Sequence, residues 1–407
     1  MFSQRIQRVP RSFIREILKV AEDPRVISFA GGLPSPGLFP VKRLEGALSK
    51  ILAERAPESL QYGSSEGLPA LREWICQRYK KRFGLEVDPG NVLITTGSQQ
   101  GLDLVGKVLV EDSDKVVMER PGYLGAIQAF SLYTGSISQV ELTGDGPDLD
   151  DLERQFRSVN SKLFYAIPNF QNPSGMSYSL EKRRKVAHLC GKHGIVLLED
   201  DPYGELRFEG EHLPPIGSFG DSFGGDSHGG EGRWAGGHSI MLGTLSKVAA
   251  PGLRVGWVVA PDEIMERLLI AKQAADLHTS TFTQHLAWQY LADNDLDEHI
   301  EEIRERYRDQ ASCMVRMLEE QFPDEIGFTK PQGGMFLWVT LPEGCSSTDL
   351  FNRAIEKGVA FVPGEPFYAD GSGKNTMRLN FSNADEQAIE EGMKRLAGCL
   401  KDYLAER

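Results

Sequence analysis

The run from Ser239 to Trp257, SIMLGTLSKVAAPGLRVGW, carries a single lysine, Lys247, close behind two hydroxyl residues and seven positions ahead of an arginine. A strand over Ser239 to Leu242 would deliver Thr244, Ser246 and Lys247 to the mouth of a sheet, with Arg254 in reach. A primary amine so placed can form an imine with an aldehyde cofactor, and the hydroxyls and guanidinium can grip that cofactor's phosphate. Taken alone, Ser-x-Lys with a downstream arginine describes an ordinary surface lysine better.

Four further loops carry polar residues that a buried strand end does not need for packing. Thr95 to Gly101 (TTGSQQG) places Ser98 and Gln99 at a helix start, where N–H groups suit a phosphate. A plain helix cap by Ser98 explains the same residues. Glu119 to Gly125 (ERPGYLG) sets Tyr123 after a Pro-Gly turn, either to stack on a flat ring or to join the core. In Ile167 to Gly175 (IPNFQNPSG) the amide of Asn172 can donate to a phenolic oxygen, or simply open an Asn-Pro turn. Leu197 to Tyr203 (LLEDDPY) ends an apolar strand on Glu199, Asp200 and Asp201. A carboxylate there needs a cation, either a pyridinium N–H or a metal held by Asp200 and Asp201.

Alternating helix and strand patterns position these loops, and they predict an α/β domain with a mainly parallel central sheet. Helices are expected over Leu68 to Phe83, Gly101 to Val110 and Leu180 to His193. Strands are expected over Val92 to Thr95, Lys115 to Met118, Lys162 to Ile167 and Gly194 to Leu198. The loops then gather at the carboxyl ends of the strands, where α/β sheets bind ligands. A long charged helix from Asp295 to Glu320 follows, then strands at Gly334 to Thr340, Val359 to Val362 and Met377 to Phe381. They predict a smaller α+β domain. The division expected is 1–44 as an N-terminal segment packing on the small domain, 45–294 as the large domain and 295–407 as the small one. An amphipathic helix is expected near the N-terminus. The Gly-rich stretch 217–238 reads as a mobile insert, and His228 and His238 within it as solvated residues.

The composition narrows the class. At 407 residues two domains are expected, and the chain is 40% hydrophobic and 25% charged, as soluble globular proteins are. No apolar run is long enough to span a membrane, and the basic N-terminus lacks the continuous apolar core of a secretory signal. A net charge of −13 argues against a nucleic-acid surface. Five scattered cysteines without a Cys-x-x-Cys pair fit free thiols in a reducing cytoplasm, and no zinc spacing is present, His188 and His193 included.

Ser-Gln-Gln, Pro-x-Tyr-x-Gly, Asn-Pro-Ser-Gly, Glu-Asp-Asp-Pro-Tyr and Ser-Lys-x-x-x-Pro-Gly-Leu-Arg-x-Gly occur here in a fixed order. Phe29-Ala-Gly-Gly-Leu-Pro and Leu60-Gln-Tyr-Gly precede them. Over nearly its whole length the chain resembles the fold-type I pyridoxal-phosphate aminotransferases, aspartate aminotransferase-like in fold. The nearest subgroup is that of the 2-aminoadipate and aromatic aminotransferases, which is similar to the catalytic half of GntR/MocR regulators.

The resemblance implies that Lys247 forms the internal aldimine with pyridoxal 5'-phosphate and shuttles the substrate proton. Asp200 would hold the pyridinium nitrogen protonated, Asn172 and Tyr203 would donate to the phenolic oxygen, and Tyr123 would stack on the ring. Ser98, Gln99, Thr244, Ser246 and Arg254 would hold the phosphate, with Tyr62 reaching it from the partner of a homodimer. Arg378 would grip the substrate α-carboxylate, matching it as a planar fork. Gly32, Asn172 and Arg15 would lie near the substrate, with Ser12 and Arg15 placed towards its side chain. Arg15 would then meet a distal carboxylate, as in glutamate or 2-aminoadipate, or remain a solvated helix residue.

The expected reaction exchanges an amino group between an amino acid (2-aminoadipate, glutamate, aromatic or branched-chain) and a 2-oxo acid such as 2-oxoglutarate. A pyridoxal-phosphate β-lyase or decarboxylase shares the same cofactor cage. A ligand-sensing transcriptional regulator would need a winged helix-turn-helix domain, for which the stretch before Phe29 is too short.

Overall fold

A computed structural model describes residues 2–7, 9, 23, 25–219 and 237–407. Ser12, Arg15, His228 and most of the Gly-rich insert lie outside the described residues, as does most of the expected N-terminal helix.

Eight strands form the main sheet: β2 (Val92–Thr95), β3 (Lys115–Arg120), β4 (Ser136–Thr143), β5 (Gly146–Pro147), β6 (Ser161–Ala166), β7 (Val196–Asp200), β8 (Ser239–Thr244) and β9 (Gly256–Val259). They follow the order β2-β9-β8-β7-β6-β3-β4-β5. The neighbours from β8 through β4 are parallel, and β9 runs antiparallel to both β8 and β2. The sheet is therefore mainly parallel, as the α/β pattern predicts. Helices cover it, so β2, β7 and β8 are buried at every residue. That is why those segments read as continuous apolar runs. The carboxyl ends of β2, β3, β6, β7 and β8 open at one edge, bringing together loops far apart in sequence.

A second sheet has the order β10-β11-β14-β13, from β10 (Gly327–Phe328), β11 (Phe336–Thr340), β13 (Val362–Pro363) and β14 (Thr376–Asn380). The helices Leu296–Gln321 and Glu386–Ala405 pack together in this part of the chain. The expected single strand Val359 to Val362 divides. β12 (Val359–Ala360) pairs in parallel with β1 (Ile27–Ser28), and β13 pairs with β14. Pro363 has no N–H for a second ladder, which suits β13 to the sheet edge it occupies.

Two local differences from the sequence pattern bear on the site. The helix expected from Gly101 spans Ser98–Leu109, because Gly97 at φ 76° turns the chain into it early. Gly97 is the N-cap, and no side chain makes a capping bond, so Ser98 does not cap the helix. The strand expected from Gly194 begins at Val196, since Gly194 in the left-handed region ends the helix Leu180–His193. Glu199 and Asp200 thus lie within β7. The insert is anchored where it starts. Ile216–Phe219 forms a tight turn whose Ile216 and Gly217 N–H groups donate to Glu199 at 3.1 and 3.2 Å, so its first residues are not a free loop.

Candidate active site

A cavity of about 550 Å³ opens at the carboxyl ends of the strands. Its described lining brings together Ser98, Gln99, Tyr123, Asn172, Asp200, Tyr203, Thr244, Ser246, Lys247, Arg254, Arg378 and Gly32. These come from five loops of the main sheet, one strand of the second sheet and the segment after β1. Lys247, Arg254 and Arg378 face a single lining carboxylate, Asp200. The chain is acidic overall, yet this cavity is cationic and suits an anionic guest.

Lys247 Nζ donates to Gly32 O at 2.9 Å. Burial, and then the guanidiniums of Arg378 and Arg254, lower its pKa to about 8. An amine so tuned is partly neutral near physiological pH and can act as a nucleophile. Asp200 is 2% exposed. Its Oδ2 accepts from the Tyr165 hydroxyl at 2.8 Å, while its Oδ1 is buried without a partner. Burial raises its pKa to about 7, against the pull of the Tyr165 bond. A buried carboxylate oxygen left open towards a cavity asks for a cationic N–H.

Arg378 sits on β14, 4% exposed, with its guanidinium carbon 4.4 Å from the centre of the Phe336 ring. It donates to Asn172 Oδ1 at 2.9 Å and to Ala30 O at 2.6 Å, and its Nε is buried without a partner. Burial lowers its pKa to about 10, so it stays charged. Asn172 Nδ2 lies 3.3 Å from the Tyr203 hydroxyl, so the two polar groups meet at one wall of the cavity.

Another part of the lining is a tight cup. Arg254 takes a left-handed conformation at φ 51°, ψ 41°, costing about 1 kcal/mol for a non-glycine residue. Its Nη2 donates to Thr96 O at 3.3 Å. A Cβ on Gly97 would overlap the Arg254 guanidinium, and one on Gly256 would lie 2.6 Å from Ser98 N. Glycine at both positions lets the Arg254 guanidinium approach the Gly97 backbone and lets β9 approach the Gly97–Ser98 backbone. Ser246 N donates to Thr244 Oγ1 at 3.1 Å, and the two hydroxyl oxygens lie 2.8 Å apart. The orphaned Asp200 Oδ1, this cup and the lysine between them fit a phosphorylated pyridine aldehyde.

One expected residue lies away from the cavity of its own chain. Tyr62 is 79% exposed and edge-on to His278 at 5.7 Å, outside the cavity of its own chain. Arg15 is outside the described residues. Three residues that the sequence pattern did not single out belong to the site. Tyr165 reaches Asp200 because β6 and β7 pair Tyr165 with Leu198, and only that register reveals it. Phe336 lies against Arg378, and Gln128 lines the cavity from the helix Leu124–Ser131. A glutamine inside the run LGAIQAFS was the available signal for the last. Among the described residues no group of three or more His, Cys, Asp or Glu side chains is arranged to hold a metal ion. Asp201 accepts from Asn169 at 2.9 Å and from Gly204 N at 2.9 Å.

The aminotransferase class I and II family model matches residues 26–396. An aromatic-amino-acid aminotransferase of Thermococcus litoralis is 40% identical, over 99% of this chain and 94% of that one. A 2-aminoadipate transaminase of Thermus thermophilus is 42% identical, over 99% and 97%. Among solved structures, the α-aminoadipate aminotransferase of Thermus thermophilus, complexed with N-(5'-phosphopyridoxyl)-L-leucine, superposes with a TM-score of 0.90. It is 41% identical and covers 100% of this chain and 98% of that one.

Proposed function

The chain belongs to the class I and II aminotransferases, and from that premise we propose how its own residues carry the reaction and which substrates it takes. It is a pyridoxal-phosphate-dependent aminotransferase. The observation that carries the assignment of roles is the meeting, in one cavity, of the Lys247 amine, the unpartnered Asp200 Oδ1 and the unpartnered Arg378 Nε.

When bound, pyridoxal phosphate supplies the electron sink that makes an amino acid's α-proton removable. Lys247 Nζ would provide the attachment point and, once released, would carry the proton from the substrate's α-carbon to the cofactor's C4′. Asp200 Oδ1 would accept from the ring N–H and keep that proton in place. Asn172 and Tyr203 donate to the phenolic oxygen, and Tyr123 covers the ring. Ser98, Gln99, Thr244, Ser246 and Arg254 bind the phosphate. Arg378 keeps Nε–H and one further N–H on each terminal nitrogen for a substrate carboxylate, on a guanidinium already oriented by Asn172 and Ala30.

The amino donor is 2-aminoadipate, glutamate, an aromatic or a branched-chain amino acid, and a 2-oxo acid, 2-oxoglutarate among them, accepts. The names of the relatives at 40% and 42% identity support this range. Arg15 and Gly32 are assigned to the substrate. We read 45–294 as the cofactor domain and 295–407 with 1–44 as the domain against it, supported by the pairing of Ile27–Ser28 with Val359–Ala360. The working unit is a homodimer, supported by the exposure of Tyr62, which would reach the phosphate of the partner's site. Among the described residues no helix is long and apolar enough to cross a membrane. Five free thiols support a cytoplasmic location.

The test is a half-reaction. Protein loaded with pyridoxal phosphate is given single amino acids without a 2-oxo acid, and the visible band is followed. Bleaching that 2-oxoglutarate or pyruvate reverses supports transamination and ranks the donors. A band that depends on Lys247 but that no amino acid bleaches overturns it.

A further inference from the structure

Lys272, in the helix Asp262–Asp276, is fully buried and is not part of the cavity. Its Nζ donates to Asp276 at 2.7 Å, to Gln100 Oε1 at 2.7 Å and to Thr279 Oγ1 at 3.0 Å. A buried ammonium with one carboxylate is a costly structural choice, often no better than apolar packing. Its partners show what it orders.

Gln100 Oε1 also accepts the backbone N–H of Thr96 at 2.8 Å, and Gln100 Nε2 donates to Asp276 at 2.8 Å. The Thr96 hydroxyl donates to Asp276 at 3.2 Å, and Thr96 O receives Arg254. Thr96 is thus held at its nitrogen, its hydroxyl and its carbonyl, immediately before Gly97 and Ser98. Gly97 N–H is taken by Thr95 O, and Gln100 N–H by Gly97 O. Ser98 and Gln99, which line the cavity, open the helix, so their first-turn N–H groups have no intrahelical partners.

We propose that Lys272 and Asp276 are positioning residues for the phosphate cup, acting through Gln100 and Thr96 to aim the Ser98 and Gln99 N–H groups and to seat Arg254. This rests on the cofactor reading above. The pair touches neither cofactor nor substrate. Without it the Thr96 turn loses its fixed N–H and hydroxyl contacts, and Arg254 loses the carbonyl that orients it.

The experiment compares two guests of one site in the full chain stripped of cofactor: pyridoxal phosphate, and pyridoxal, which has no phosphate. Lys272→Met should weaken pyridoxal phosphate about tenfold or more, as losing a charge-assisted phosphate contact would, and leave pyridoxal within about twofold. Gln100→Leu, a milder change at a half-buried site, should shift the same ratio in the same direction, and it decides the matter if Lys272→Met does not fold. An unchanged ratio, or equal weakening of both guests, would mean that the pair is merely structural and would overturn the proposal. Wild-type protein that holds both guests equally would remove the phosphate cup itself. A normal wild-type ratio that neither variant alters would remove only the role of Lys272 and Asp276.

Discussion

Asp200→Asn removes one negative charge and almost no volume, so its effects report on that charge. In the cofactor-free protein the carboxylate is buried with one donor, Tyr165, and one bare oxygen. Its pKa is raised from a solvated aspartate's 3.8 to about 7. A raised carboxyl stabilises the fold fully below the unfolded value and loses that contribution as pH climbs through the folded one. At 1.36 kcal/mol per tenfold, the ionised form is disfavoured above pH 7 by about 4 kcal/mol, and by about half that once water entering the open cavity is allowed for. Asparagine carries no such penalty and keeps the Tyr165 bond through its amide oxygen. The stripped variant should therefore match wild type near pH 4, melt progressively higher relative to it up to pH 7, and hold that difference above. The loaded enzyme should respond in the opposite sense. On the proposed role of Asp200, the variant there should lose a buried charge pair of roughly 3–5 kcal/mol, about 10² to 10⁴ in the half-reaction rate. Thermal melts of stripped and loaded protein between pH 4 and 8.5, with stopped-flow half-reactions, measure both. A stripped variant less stable than wild type at pH 8, or a difference that ignores pH, would refute the reasoning.

Three other outcomes follow from the same geometry. The rate at which stripped protein takes up pyridoxal phosphate should rise with pH and level off above about 8, where the Lys247 amine is neutral, as rapid mixing would register. Arg378→Lys should raise KM for both amino acid and 2-oxo acid about 10- to 100-fold, through loss of the planar fork, with cofactor affinity unchanged in a binding titration. Gly97→Ala should release cofactor faster in dialysis, since its Cβ displaces Arg254 and its φ of 76° disfavours a side chain.

What the sequence made legible was local. Each loop that lines the cavity is a short run in which a strand pattern stops and polar residues with Gly or Pro begin, so Ser98, Tyr123, Asn172, Asp200 and Lys247 are visible without tertiary knowledge. The helix Leu180–His193 is bounded by its own signals, Ser179 at one end and Gly194 at the other. Residues whose importance depends on strand register or helix packing were not legible. Tyr165 reads as one more buried strand aromatic, and Lys272 as one more helix lysine, until β6 meets β7 and the helix meets the Thr96 turn. The division of Val359 to Val362 between two sheets was hidden for the same reason, because its partners, Ile27 and Arg378, are remote in the chain.

The antiparallel course of β9 beside β8 has a mechanical consequence. Lys247 and Arg254 lie on the one connection between these neighbours, closed at its base by the 3.0 Å bond from Leu245 N to Val255 O. The span between the Lys247 amine and the Arg254 guanidinium is therefore set by a short loop pinned at both ends, like the jaws of a caliper. Arg378 arrives from another sheet through β14 and has no part in that span. Chimeras that exchange the second sheet with that of a relative should inherit new substrate preferences while keeping the original grip on the cofactor.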